Sequence, residues 1–182
     1  MKLIMKIYFV RHGQTQKNKE RRATGWADDP LNEEGIKEAY KTKEEVPNDF
    51  THIYSSDLVR CRQTAEIINK KLNILTTYDI RLRERNFGSL QGKTIEEIGS
   101  ELWEKDHNQE YNYQSYGGES VKDVKERLFD FIFDIKKKQN GKKVLIVTHA
   151  GIIRLLHHLL KGKIPEKIYN ASVHEFDFPD TF

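Results

Sequence analysis

Two histidines stand at the ends of two apolar runs. Arg11-His12-Gly13-Gln14-Thr15 directly follows Ile7-Tyr8-Phe9-Val10, and Thr148-His149-Ala150-Gly151 follows Val144-Leu145-Ile146-Val147. A short β-branched and aromatic run that ends in a turn reads as a buried strand. It delivers its next residues to the carboxyl edge of the sheet, where open α/β sheets bind ligands. An arginine beside a histidine there supplies a fixed cation for an anionic group and a base or nucleophile that titrates near neutrality. Two strands that each end on a histidine predict two imidazoles meeting across one phosphate-sized site.

Two further segments carry charged residues beside apolar ones. Ser55-Ser56-Asp57-Leu58-Val59-Arg60-Cys61-Arg62-Gln63-Thr64-Ala65 follows the short stretch Ile53-Tyr54, and Leu82-Arg83-Glu84-Arg85-Asn86-Phe87-Gly88-Ser89-Leu90-Gln91-Gly92 lies downstream. Asn18, Thr24-Gly25-Trp26, Pro30-Leu31-Asn32-Glu33-Glu34-Gly35 and Gly117-Gly118-Glu119-Ser120 complete the set. In these motifs and their order the chain resembles the histidine phosphatase superfamily, the phosphoglycerate mutase-like proteins. The resemblance covers about Lys6 to about Asp177, nearly the whole chain.

That resemblance implies a phosphohistidine intermediate on His12. One ring nitrogen would attack phosphorus in line, while the other carries its proton in a fixed hydrogen bond. Arg11 and Arg60 can fork onto the non-bridging oxygens, a geometry lysine cannot supply. His149, protonated beside bound phosphate, would add a donor. Asn18, Gly13 and Gln14 are expected as neutral contacts, and Thr24, Gly25 and Ala150 as substrate neighbours. Glu84 is the expected general acid for the leaving alkoxide and then the base for water, which asks for a carboxyl pKa lifted toward neutrality.

The same residues also have ordinary readings. Without the motif, Arg60 beside Arg62 would be an exposed salt-bridging arginine, and Glu84 between Arg83 and Arg85 half of a surface ion pair. Cys61 is expected as a small buried residue, because a C-x5-R phosphatase loop would need arginine where Ile67 stands. His52, His107, His157, His158 and His174 lack metal-ligand spacing and read as structural, so neither a metal nor a cofactor is expected.

Helical and strand patterns alternate along the chain, which predicts an α/β three-layer sandwich: a mostly parallel central sheet with helices on both faces, in one domain over residues 1–182. Asn32 can cap a helix that ends near Val46 before Pro47. A second helix is expected from Asp57 or Leu58 to about Leu72, and Ile74 to Ile80 is a strand candidate. The clearest helix spans Val121 to Lys138, with Val121, Val124, Leu128, Phe131, Ile132 and Ile135 at helical spacing. A last helix, Ile152 to Lys161, would point its amino end at the site and favour anions there. Ser172 to Phe178 alternates as an edge strand does.

The 182 residues carry a net charge of +3, too small to argue for nucleic acid or membrane binding. One cysteine fits a reducing, cytoplasmic setting. No secretory peptide and no run of membrane-spanning length is read, and Met5-Lys6-Ile7 would itself make a natural start. The partner is thus expected to be a small phosphorylated metabolite; the oligomeric state stays open. Between Glu101 and Gly118, four acids face one lysine among Trp103, Tyr111, Tyr113 and Tyr116. Such a stretch would repel a bisphosphate and suit a ring or apolar moiety, which favours a metal-independent phosphomonoesterase. Gly117-Gly118-Glu119-Ser120 resembles the α-ribazole-5′-phosphate and broad-specificity phosphatases. A phosphoglycerate mutase and a catalytically weak phospho-ligand binding module remain the alternatives.

Overall fold

A computed structural model describes residues 5–139 and 141–178. The readings of residues 1–4 and of the tail Pro179-Asp180-Thr181-Phe182 lie outside the described residues. Five strands, β1 (Met5–Arg11), β2 (His52–Ser55), β3 (Thr76–Tyr78), β4 (Val144–Thr148) and β5 (Val173–Phe178), form one sheet in the order β3-β2-β4-β1-β5. The β3-β2, β2-β4 and β4-β1 pairs are parallel, and β5 lies antiparallel along β1. The helices around it are α1 (Gln16–Lys19), α2 (Glu33–Glu45), α3 (Val59–Leu72), α4 (Ile95–Ile98), α5 (Ser100–His107), α6 (Val121–Lys138) and α7 (Ala150–Lys161). This is the mixed α/β architecture expected from the alternating patterns.

Every residue of β4 is buried, as a strand covered on both faces requires. Alternate side chains then serve different cores. Ile7, Phe9, Val144 and Ile146 join Val124, Leu128, Phe131, Ile132 and Ile135 of α6 and the apolar side of α7 on one face. Val10, Leu145 and Val147 join Cys61, Ala65 and Ile68 of α3 on the other. Each fully buried aliphatic or phenyl side chain contributes roughly 1.5–3 kcal/mol, so both faces anchor the central strands. Register then sets the chemistry: Arg11 pairs with Thr148, and the next amide, His12, donates to the Thr148 carbonyl at 2.9 Å. Residues 12 and 149 leave the sheet side by side.

Several elements differ from the sequence reading, among them α1, which was not read as helical. The last helix begins at Ala150 rather than Ile152, with His149 itself in the capping position, so the histidine is continuous with the helix. The strand expected over residues 74–80 shortens to β3, because the Asp79 side chain accepts from the Arg81 amide and caps a 3₁₀ turn over Ile80–Leu82. Residues 95–107, not read as helical, form α4 and α5. The Thr94 hydroxyl and Glu97 carboxylate close a reciprocal capping box at α4, a local signal the apolar periodicity does not contain.

Candidate active site

His12 is buried at the carboxyl edge of β1, and its Nδ1 lies 2.7 Å from the Gly13 carbonyl oxygen. That oxygen can only accept, so Nδ1 carries the proton and Nε2 keeps its lone pair. Burial, followed by the charges of Arg60 and Arg11, pushes the His12 pKa well below the ordinary histidine value. The ring is a neutral base of fixed tautomer. His149, fully buried, is likewise held neutral, mainly by burial and then by Arg60. Its Nε2 is 3.0 Å from the Ser56 hydroxyl and 3.4 Å from the Cys61 thiol. Cys61 is indeed buried, and burial pushes its thiol up to about 12, so it is no nucleophile.

A cavity of about 660 Å³ opens over His12, walled by Arg11, Arg60, Glu84 and Arg154 together with Asn18 and Thr24. Burial brings the Arg11 guanidinium down to about 10, still charged at neutral pH. The Nε atoms of Arg11, Arg60 and Arg154 and the Thr24 hydroxyl are buried without a hydrogen-bond partner among the described residues. Buried donors left unpaired are costly. All four residues line the cavity, and the three arginines give it the charge that an anion rich in acceptor oxygens complements.

Glu84 belongs to no exposed ion pair. It is 8% exposed, and its Oε1 accepts from the Arg85 backbone N–H (3.0 Å) and from Arg85 Nη1 (2.9 Å). Its Oε2 accepts from Gly151 N in the first turn of α7 (3.0 Å). The amino end of that helix thus receives this carboxylate. Burial raises the Glu84 pKa, but the Arg85 charge, the two backbone N–H groups and Arg60 outweigh it, and the net shift is downward. The expectation of a carboxyl lifted toward neutrality is therefore corrected for the free protein, in which the Glu84 carboxyl is held below its ordinary value.

Other expected contacts are placed differently. Gly13 is not a free donor, because its N–H goes to the Thr64 hydroxyl at 3.1 Å. Its glycine identity is required by packing, since a Cβ there would sit 2.3 Å from the Gly35 carbonyl oxygen. The Gly25 carbonyl accepts from Arg60 Nη2, and the Ala27 carbonyl from Nη1, so the 24–27 turn aims Arg60. Gln14, Asn18, Thr24, Gly25 and Ala150 all line the cavity. Gln14 Oε1, however, accepts from Asn32, and Asn18 Oδ1 caps α1 and accepts from Asn170.

The aromatic acidic stretch is corrected more sharply. Tyr111 and Tyr113 lie in the core, and Asp106 is buried against Arg85; of this stretch Trp103 alone lines the cavity. The sequence reading missed Arg154 and Asn170. Asn170 Nδ2 and the Ala171 N–H both donate to the His12 carbonyl. Arg154 lies four residues after Ala150, on the same face of α7, a spacing that was available as a signal. Asn170 had no local signal. Among the described residues no group of three or more His, Cys, Asp or Glu side chains is set to hold a metal, and no helix is long and apolar enough to cross a membrane.

A mostly parallel sheet with a histidine- and arginine-lined pocket at its carboxyl edge places the chain among the α/β proteins whose site lies where open sheets bind ligands. The chain belongs to the histidine phosphatase superfamily (branch 1), whose family model matches residues 7–181. It is 35% identical over 181 residues to phosphoglycerate mutase-like protein 4 of Arabidopsis thaliana, covering 93% of this chain and 78% of the relative. Among solved structures, a phosphoglycerate mutase from Thermus thermophilus superposes with TM-score 0.79 at 30% identity, over 94% of this chain and 92% of the other. A mycobacterial glucosyl-3-phosphoglycerate phosphatase in complex with VO3 gives 0.83 at 27% identity, over 96% of both. The relatives include both mutases and phosphatases.

Proposed function

We propose that this protein is a metal-independent phosphomonoesterase that hydrolyses a small phosphorylated metabolite through a phosphohistidine on His12. The observation that carries this reading is the neutral His12 ring, with Nδ1–H tied to Gly13 O, set among cavity arginines whose Nε–H groups are unpartnered. The His12 Nε2 lone pair forms the N–P bond as the P–O bond to the leaving group breaks. Arg11 and Arg60 face the equatorial oxygens, whose charge the transition state spreads, and His149, packed behind the His12 ring, would add a donor once protonated. The substrate's charge raises the proton affinity of Glu84, which takes a proton from the monoester monoanion or solvent and passes it to the leaving alkoxide. Water then attacks phosphorus and gives its proton back to Glu84, and the N–P electron pair returns to Nε2.

Hydrolysis is favoured over transfer between two hydroxyls because, of the segment 101–118, Asp106, Tyr111 and Tyr113 are buried in the core and Trp103 alone reaches the cavity. The half-buried Arg154 adds a cation beyond the pair on the transferring phosphoryl, which suits a substrate with a second anionic group, while Trp103, Phe87 and Ile95 offer an apolar wall. An α-ribazole-type phosphate ester would use the apolar wall, and a phosphorylated carboxylic acid the Arg154 cation. The test is p-nitrophenyl phosphate hydrolysis in excess chelator, with vanadate inhibition and a trapped, acid-labile phosphoenzyme absent from His12→Ala. Chelator-resistant turnover with that phosphoenzyme is expected. Interconversion of 2- and 3-phosphoglycerate faster than phosphate release would overturn the hydrolase reading, and phosphate binding without turnover would leave a binding module.

A further inference from the structure

Asp106 lies outside the motifs, in α5, and is 1% exposed. Its carboxylate takes both Nε and Nη2 of Arg85, at 2.5 Å each, and its Oδ1 also accepts from the Tyr113 hydroxyl at 2.8 Å. The remaining Arg85 nitrogen, Nη1, donates to Glu84 Oε1. One buried guanidinium is therefore shared by two carboxylates, and its plane is fixed between the Phe87 and Tyr111 rings. Gly151 makes the approach possible: a Cβ there would lie 1.6 Å from Arg85 Nη1 and 2.3 Å from Glu84 Oε1.

We infer that Asp106 is a positioning residue that acts through Arg85, drawing the guanidinium's charge away from Glu84 so that Glu84 can take up and release a proton during turnover. This rests on the reading of Glu84 as the acid–base group. A lone guanidinium in low dielectric would lock a neighbouring carboxylate in its ionised form. Dividing its hydrogen bonds and charge between two carboxylates weakens that hold while the bidentate fork keeps the geometry. The other groups whose charge reaches Glu84 are Arg11 from β1, Arg60 and Cys61 from α3, Arg154 from α7 and Tyr111 after α5. The three arginines favour its ionised form, so Asp106 is the counterweight among them.

The experiment compares an alkyl phosphate, β-glycerophosphate, with p-nitrophenyl phosphate, whose leaving group needs no proton. Both are read as the single-turnover rate of leaving-group release, which precedes the water step that the two substrates share. Glu84→Gln calibrates it by slowing that release selectively on the alkyl substrate, and equal slowing on both would overturn the reading of Glu84 as the acid, independently of Asp106. With Glu84 calibrated, Asp106→Asn is expected to lower that single-turnover rate on β-glycerophosphate about tenfold, to change it on p-nitrophenyl phosphate less than about twofold, and to move the basic limb of its pH profile about one pH unit down. Equal loss on both substrates with an unmoved limb would show that Asp106 only packs, and overturns the inference. Tyr113→Phe covers the case in which Asp106→Asn does not fold. Without the tyrosine's hydrogen bond Asp106 pulls harder on Arg85, so the limb should move upward, and an unmoved or lowered limb counts against the proposal.

Discussion

The rings of His12 and His149 meet edge to face with centroids 5.1 Å apart, and Arg60 depresses the proton affinity of both. Adjacent parallel strands in register bring them together, and burial keeps them free bases. A phosphoryl dianion arriving at His12 from the cavity would reverse the balance for His149 packed behind it, since its charge favours an imidazolium, while His12 spends its lone pair on phosphorus. Similar environments can thus support two roles once the anion is bound.

Removing the His12 ring should abolish turnover. His12→Ala is expected to lose on the order of 10⁴-fold or more in kcat, as deletion of a nucleophile does, with the circular dichroism melt retained. Residual hydrolysis within tenfold of wild type would show that another group attacks. Because its pKa is depressed, wild-type kcat/KM should hold its plateau below pH 6 instead of falling through the usual histidine range.

Arg60 cannot be replaced by lysine without loss. Its two Nη atoms hold the carbonyls of Gly25 and Ala27, which fixes the fork against the cavity. Lysine keeps the charge but presents no plane. A fall in kcat/KM of roughly 10²-fold is expected for Arg60→Lys, the scale of a small misplacement at a reacting centre. Steady-state kinetics with vanadate inhibition in parallel would measure it, and an unchanged vanadate affinity would contradict the assignment.

Gly151→Ala should damage both stability and activity. Its Cβ would collide with Arg85 Nη1 and Glu84 Oε1, inside a buried network. Overpacking of this kind costs about 1–3 kcal/mol, and the carboxylate cannot move without losing the Gly151 N–H. Urea denaturation should register the lost stability, and the alkyl-phosphate assay the lost acid. A variant as stable and active as wild type would show that the contact relaxes freely.

Stability should fall in mildly acidic solution. The folded pKa values of His12 and His149 lie below the unfolded value of about 6.5. As pH drops past that value the unfolded chain binds protons that the folded chain refuses. Their contribution is therefore complete above about pH 6.5 and is lost as pH falls toward the folded values, at about 1.4 kcal/mol per pH unit for each histidine. His174, brought to about 4 by burial and then by His157, adds to the same slope. His149→Gln should flatten the dependence of Tm on pH between 6.5 and 5; a slope equal to that of wild type would refute the assignment.

The chain's own residues announced most strands and helices and the positions of Arg11, His12 and His149, because each of these stands at the end of an apolar run, while the resemblance to the histidine phosphatases singled out Arg60 and Glu84. The α6 face, read from Val124, Leu128, Phe131, Ile132 and Ile135, returned as one of the two cores. What the tertiary structure decided were pairings between distant segments. The acids and tyrosines of 101–118 read as a repelling, aromatic rim, yet Asp106 and Tyr113 turn inward, because the nearby buried cation of Arg85 must be neutralised. Gly13 read as a phosphate donor, yet its N–H belongs to Thr64 and its missing side chain to Gly35. Asn170 reaches His12 across 158 residues. The direction of the Glu84 shift was equally beyond sequence. Burial and charge act on it with opposite signs, and only the distances decide which prevails.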